Sequence, residues 1–147
     1  MKILTTTIMT CLLMFAQTGW AEQKVKAGHY ELHYNTFPST FLAKEIANTY
    51  QIVRSKNRGI ISVSVLNTRN TPATAVEANV DIQANNLLNQ NKEIKLFKIV
   101  EENEAVYYLG TFALNNQEDV NFNITAKPIA DEDIELNVKF SREFFTD

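Results

Sequence analysis

The segment 29-HYELH-33 carries three side chains that could bind a metal ion. In an extended strand, His29, Glu31 and His33 lie on one face, and imidazole and carboxylate groups are zinc ligands. The outer two are ~13 Å apart along a strand, so a zinc site would need further ligands, and the chain has no other histidine. The segment predicts either this metal site or, as the interpretation that we favour, surface histidines that respond to pH beside Glu31.

A second group consists of three cations at alternate positions: Arg54, Lys56 and Arg58. If 53–65 is extended, Val53 points inward and the cations form a basic stripe on the outer face. Such a stripe could dock a partner that bears carboxylates or phosphates. Two alternatives remain open, namely a solvated edge whose charges prevent aggregation and a β-turn at 56–59 that would disperse the cations.

Motifs for catalysis and for cofactors are missing from the sequence. No Gly-x-Ser-x-Gly motif occurs, and four glycines form neither a phosphate-binding loop nor a dinucleotide fingerprint. We therefore expect no cofactor and a non-enzymatic binding module. Its contact surface would be the basic stripe, with His33 and Tyr50 nearby, and its partner an acidic ligand or an envelope protein. The competing hypothesis is an envelope enzyme or metal-dependent protein that uses His29, Glu31 and His33.

Alternation of apolar and polar residues dominates the chain and predicts β-strands with one buried face. Seven segments show it or are rich in strand-forming residues: 25–34, 60–66, 76–84, 94–100, 105–114, 120–126 and 134–140. The polar tip 101-EENE-104 predicts a hairpin, and 105–114 is apolar on both faces, which predicts a central position. The spacing is typical of an all-β, antiparallel β-sandwich of immunoglobulin-like architecture.

One segment departs from this alternation. In 39-STFLAKEIANTYQI-52, apolar residues recur at helical spacing, and Ser39 or Thr40 could cap the N-terminus. The segment predicts one short helix between the first two strands. About two turns are unstable alone, so we expect the helix to dock on the sandwich, across an open end.

The N-terminus predicts export. Lys2 is followed by an apolar stretch, and 19-GWA-21 has the small residues of a cleavage site, so we expect a signal peptide that is cut after Ala21. Cleavage from 147 residues leaves a single domain over 22–147, without Cys11, the one cysteine. Loss of Lys2 leaves 13 of the 14 basic residues against 17 acidic ones, a net charge of −4. We expect a periplasmic or secreted protein that does not bind nucleic acid and has no further membrane span.

The mature chain resembles an exported bacterial family, catalogued as domain of unknown function 4426. Similar features are Tyr34-Asn35 with Phe37, 40-TFL-42, the helix-to-strand passage that ends in 54-RSKNRG-59, the strand 106-VYYLGTF-112 and the closing 140-FSREFF-145. The resemblance implies a signal-bearing β-sandwich in which the helix and the basic passage form one unit. It implies no activity and no catalytic residues.

Overall fold

The computed structural model describes residues 23–147, so the predicted signal peptide and Cys11 lie outside the described residues. The described part has ten strands, one 3₁₀ turn and one α-helix. The strands are β1 (Gln23–Ala27), β2 (Tyr30–Pro38), β3 (Arg58–Asn67), β4 (Thr74–Val76), β5 (Ala78–Asn86), β6 (Asn91–Lys92), β7 (Lys95–Val100), β8 (Val106–Ala113), β9 (Glu118–Pro128) and β10 (Leu136–Phe144). The 3₁₀ turn spans Ser39–Phe41 and the helix α1 spans Lys44–Thr49. Within 23–147, no helix has the length and apolar character needed to cross a membrane.

The strands form two antiparallel sheets, which confirms the predicted β-sandwich. Sheet A has the order β1-β2-β3-β8-β7, with β4 beside the end of β3, and sheet B has the order β10-β9-β5-β6. The predicted strand 25–34 is two strands, because Gly28 adopts a φ of 57° and the chain turns there into a hairpin. The short strands β4 and β6 account for the rest of the difference between seven and ten. The hairpin at 101–104 and the central position of β8 are confirmed.

The main core lies between the sheets and follows from the alternation along the strands. Val120, Phe122 and Ile124 of β9 face inward, and their polar neighbours face out. The Phe122 ring packs edge-on against Phe112 of sheet A, with ring centroids 5.3 Å apart. A β-carbon at Gly59 would overlap the Phe112 ring, so the glycine that ends the basic passage makes room for a core aromatic.

The helical segment lies on the outer face of sheet A rather than across an open end, as we expected. A second apolar cluster joins Leu42, Ala47 and Ile52 to residues of β3, β7 and β8. The predicted cap is also wrong, since α1 begins after Ala43 and neither Ser39 nor Thr40 caps it. Ser39 lies five residues before α1 and makes other contacts, which are described below.

Candidate functional site

The basic passage is held in place by one buried hydroxyl. Ser39 is fully buried, and its Oγ lies 3.1 Å from the carbonyl oxygen of Val53 and 2.9 Å from that of Ser55. The same oxygen accepts a hydrogen bond from the Ser55 backbone N–H. Arg54 Nη2 donates to the carbonyl oxygen of Thr40 at 2.6 Å. These contacts join the 3₁₀ turn to 53–55 and fix the backbone that carries the cations.

The predicted basic stripe does not form, because 53–57 is not a strand. Ser55 to Arg58 is a turn, closed by a hydrogen bond from the Arg58 N–H to the Ser55 carbonyl. Val53, which we expected to point inward, is 62% exposed. Arg54 and Lys56 are exposed on this irregular segment, whereas Arg58 is half-buried at the start of β3. The structure thus matches the alternative in which a β-turn disperses the three cations. The turn spans 55–58, one residue earlier than the predicted 56–59.

The other two residues of the predicted contact surface, Tyr50 and His33, make different contacts. Tyr50 packs edge-on against Phe97, with ring centroids 5.9 Å apart, and belongs to the apolar cluster beneath α1. His33 pairs with Ser64 of β3, six residues from Arg58, a separation of roughly 20 Å along the strand. His33 therefore does not lie beside Arg54 and Lys56, and the Tyr50 ring is engaged in the apolar cluster.

Exposed apolar side chains concentrate at one end of the sandwich, the end where β3 begins. The connections there are 39–57, 87–90 and 114–117, together with the chain end 145–147. They carry five of the eight large apolar residues that are exposed in 23–147: Phe41, Val53, Leu87, Leu88 and Phe145. Phe41 is 77% exposed and Leu88 is 78% exposed. We call this end the apolar end.

The opposite end has a different character, and we call it the acidic end. Its connections 101–105 and 129–135 contain seven carboxylates and no lysine or arginine, and 68–73 adds only Arg69. The connections of the apolar end contain three cations, Lys44, Arg54 and Lys56, against two carboxylates. One of those two, Asp147, lies 3.8 Å from Lys56, with both side chains exposed. The connections of the two ends therefore differ in formal charge.

A nearly buried ion pair of sheet B lies beneath the apolar end, and its lysine also binds sheet A. Lys92 Nζ lies 2.8 Å from Glu118 Oε1, with the side chains 10% and 9% exposed, and donates to the Ala113 carbonyl of sheet A. The backbone N–H of Asn115 donates to the second carboxylate oxygen of Glu118. Burial raises the pKa of Glu118, but the hydrogen bonds from Lys92 and Asn115 outweigh it and the net pKa is lowered. We regard the pair as structural.

The predicted metal group is not assembled. His29 lies in the turn between β1 and β2, where its ring packs on Tyr30 with centroids 4.2 Å apart, because the strand that would have aligned it with Glu31 begins one residue later. Only Glu31 and His33 meet, with His33 Nε2 3.0 Å from Glu31 Oε2. Among residues 23–147, no group of three histidine, cysteine or acidic side chains could hold a metal ion.

Glu31 is instead held by cations from the neighbouring strand. Lys26 Nζ lies 2.8 Å and Lys24 Nζ lies 3.5 Å from its carboxylate. The hydrogen bonds from Lys26 and His33 lower the pKa of Glu31 to about 2. The carboxylate is therefore ionised at neutral pH and engaged by three side chains, as a structural contact would be.

Two features were missed by sequence reasoning. Adjacent leucines, Leu87 and Leu88, stand in the predicted turn 85-NNLLNQN-91, and apolar pairs in a polar turn are a signal of an exposed contact. The second feature is a trough with a volume of about 510 Å³ on the outer face of sheet B, and five of its ten lining residues are asparagine or glutamine. The feature of the sequence that could have indicated this trough is asparagine at alternate positions, Asn121 and Asn123.

Comparison with known proteins agrees with this architecture. The model of the family described as domain of unknown function (DUF4426) matches residues 24–147. The chain belongs to the DUF4426 family. The crystal structure of a DUF4426 protein from Pseudomonas aeruginosa PAO1 is similar, with a TM-score of 0.73 and 29% sequence identity over 86% of this chain and 96% of that one. The predicted family membership is therefore confirmed.

A more distant likeness extends the fold beyond the DUF4426 family. The crystal structure of FetP from uropathogenic E. coli strain F11, a protein recombinantly expressed in the periplasm, has a TM-score of 0.52 and 8% identity over 84% of this chain and 93% of that one. At this identity the likeness concerns the fold alone. No curated protein matches the sequence significantly.

Proposed function

We propose that this DUF4426 domain is an exported, non-enzymatic binding module that docks an acidic protein of the envelope through its apolar end. One observation carries the proposal. Five large apolar side chains are exposed together at one end of the sandwich, beside Arg54 and Lys56. Exposed apolar residues that gather in one region of a protein are a signal of a contact surface.

The chemistry of the apolar end is that of a protein interface. Aromatic residues and arginine are enriched where proteins meet, and a few of them supply most of the binding energy. Phe41 and Arg54 lie on the two segments that the Ser39 hydrogen bonds join. Because the backbone is already ordered, binding costs less conformational entropy than it would from a mobile loop.

An acidic protein partner fits the charge distribution better than a bilayer does. The acidic end would repel such a partner, and the apolar end would attract it, so the two ends together orient the encounter. Recognition of anionic lipid by basic segments commonly uses clusters of 4–8 lysines or arginines, which is more than the three cations in the connections of this end. We therefore favour a carboxylate-bearing protein.

The titratable groups of the described chain support binding rather than catalysis. Glu31 is saturated by Lys26, Lys24 and His33, and Glu118 is paired with Lys92. The trough on sheet B has one titratable residue in its lining, Lys139. General acid–base catalysis needs groups that can exchange protons beside a bound substrate, and these pairs do not offer them.

Export is part of the proposal and has its own test. The N-terminal sequence pattern supports it, and so does the likeness in fold to a protein that was expressed in the periplasm. Protein recovered from the periplasmic fraction should begin at Glu22. An N-terminus at Met1, with the protein in the cytoplasmic fraction, would contradict export.

The docking surface can be tested with a charge-matched pair of variants. The exported protein is immobilised at low salt, an envelope extract is passed over it, and retained proteins are identified, purified and titrated back. We expect Arg54→Glu with Lys56→Glu to abolish retention of the partner. The control variant, Arg69→Glu with Lys127→Glu, makes the same change of net charge at the acidic end. This control should still retain the partner.

The titration distinguishes the possible outcomes. Binding of the purified partner should weaken as salt rises, because screening acts on exposed charges. Equal retention by both variants, or retention of vesicles that contain anionic lipid in place of any protein, would contradict the proposed partner.

A further inference from the structure

The trough on sheet B is a second candidate site. It adjoins the connection 87–90, since Asn85 Nδ2 donates to Asn89 Oδ1, but none of its lining residues belongs to the 39–57 segment that carries Arg54 and Lys56. The trough lies on the outer face, across four strands, and five carboxamide side chains line it: Gln83, Asn85, Asn91, Asn121 and Asn123. Ser141 and Lys139 complete the polar lining, which contains no carboxylate. Its volume of about 510 Å³ falls within the ~300–1,000 Å³ that is typical of small-ligand sites.

The strand register brings the amides together. Gln83 pairs with Asn123, and Asn123 pairs with Lys139, which makes one row across three strands. Asn85, Asn121 and Ser141 make the adjacent row. Since the intervening residues Ala84 and Phe122 are buried in the core, both rows face outward. Two parallel rows of short polar side chains therefore form the floor of the trough.

The choice of residue opposes local strand propensity. Asparagine is depleted in strands, where threonine, valine and aromatic residues are favoured. On the outer face of sheet A, β1, β2 and β3 carry Lys26, Glu31, His33 and Ser64 and a single asparagine, Asn35. Positions where residue choice conflicts with the fold are expected at functional sites. The amides of sheet B are thus not explained by strand formation or by solubility alone.

Two internal hydrogen bonds set the direction of the central amides. Ser141 Oγ donates to Asn121 Oδ1, and Asn137 Nδ2 donates to Asn123 Oδ1 at 2.9 Å. Within residues 23–147, the Nδ2 groups of Asn121 and Asn123 donate to no protein atom, and the Gln83 amide has no partner. The floor therefore presents oriented N–H donors beside a free amide that can both donate and accept.

We propose that this trough binds a neutral oligosaccharide. Carboxamides donate and accept at once, which matches vicinal hydroxyl groups, and the lining has a single charge, so a strongly charged ligand would lack counterions. A peptide is a poorer match. Peptides usually bind β-proteins by pairing with a free strand edge, but β9 at the centre of the trough is hydrogen-bonded on both sides.

The unmodified exported protein supplies the first test, since asparagine and glutamine side-chain amides give separate NMR signals. The ¹⁵N-labelled protein is titrated with maltotriose, cellotriose and chitotriose, each to ~10 mM, above the millimolar range of weak binding. We expect at least one trisaccharide to shift the signals of Gln83, Asn121 and Asn123 while Asn79, outside the trough, stays unshifted. Tetra-alanine is the peptide competitor.

Variants give a second readout with an internal control. Asn121→Ala with Asn123→Ala should weaken trisaccharide binding about tenfold or more, whereas Asn79→Ala, also on the outer face, should not. The proposal is overturned if no trisaccharide shifts the trough signals, if only tetra-alanine does, or if shifts spread equally to Asn79. These outcomes are independent of partner retention at the apolar end.

Discussion

The two ends of the sandwich differ in how far their ion pairs are buried. At the apolar end, Lys92 and Glu118 form a nearly buried ion pair within sheet B, while phenylalanine and leucine side chains face the solvent. At the acidic end, the side chains of the ion pair between Lys98 and Glu77 are 43% and 50% exposed. The apolar end therefore buries an ion pair and exposes large apolar side chains, whereas the ion pair of the acidic end is exposed to solvent.

This difference matters because exposed ion pairs and buried apolar side chains are the arrangement of lower solvation free energy. Burying an ion pair costs desolvation, and exposing large apolar side chains forgoes the stabilisation that burial would give. A protein that accepts both costs at one end is stable only if its internal contacts compensate for them. The comparison therefore predicts that internal polar contacts near the apolar end contribute far more stability than exposed ones elsewhere.

The largest expected effect comes from breaking the buried pair. Lys92→Met leaves the Glu118 carboxylate nearly buried without its cation, so we expect a loss of about 3 kcal/mol in the free energy of unfolding. Lys98→Met removes an exposed pair and should cost about 0.5 kcal/mol or less. Urea unfolding of both variants measures the difference. Equal losses would remove the energetic distinction between the ends.

The next effect concerns the hydroxyl that fixes the basic passage. Ser39→Ala leaves the Ser55 N–H without its acceptor in a buried site, and we expect a loss of about 1.5 kcal/mol. Thr49→Ala removes an exposed hydroxyl that donates to the Glu45 carbonyl on α1, and should change stability by about 0.5 kcal/mol or less. Hydrogen exchange at Ser55 would show whether the passage loosens; unchanged protection in S39A would contradict the role given to Ser39.

Acid should act through Glu31. Its pKa in the folded protein is about 2, below the ordinary value of 4.5, so its contribution to stability is present above pH 4.5 and is lost as the pH falls towards 2. We expect Glu31→Gln to be less stable than the native protein at neutral pH. As the pH falls from 4.5 to 2, the variant should lose less stability than the native protein does. Thermal melting over this range measures it, with the exposed Glu45→Gln as control. Parallel curves for native protein and E31Q would contradict the assignment.

Much of the fold could be predicted because alternation along each strand determines which face is buried. The alternation in 120–126 predicts one buried face, and Val120, Phe122 and Ile124 on that face are part of the core. The errors occur where one residue changes the backbone direction. Gly28 turns the chain with a positive φ, which divides one predicted strand and removes His29 from the face of Glu31. A single glycine in an otherwise regular alternation is not enough to predict such a turn.

The candidate sites were harder to predict because they depend on contacts between distant segments. Ser39 meets Ser55 across sixteen positions of sequence, and this contact, not strand parity, places Arg54. The apolar end gathers Phe41, Leu88 and Phe145 from separate parts of the chain. Only the asparagines of β9 are visible locally, and their pattern looks like ordinary polar alternation until the neighbouring strands are aligned beside them.

The smallest change in stability should accompany the sharpest change in binding. Phe41 and Val100 are both exposed, one at the apolar end and one at the acidic end. Replacing either with serine removes no buried contact, so we expect changes within about 0.5 kcal/mol in the free energy of unfolding. F41S should nevertheless lose most retention of the envelope partner, and V100S should keep it, because an exposed aromatic contributes its energy only when a partner buries it. If both variants bind as the native protein does, exposure of apolar residues at this end has no bearing on recognition, and the difference between the two ends concerns stability alone.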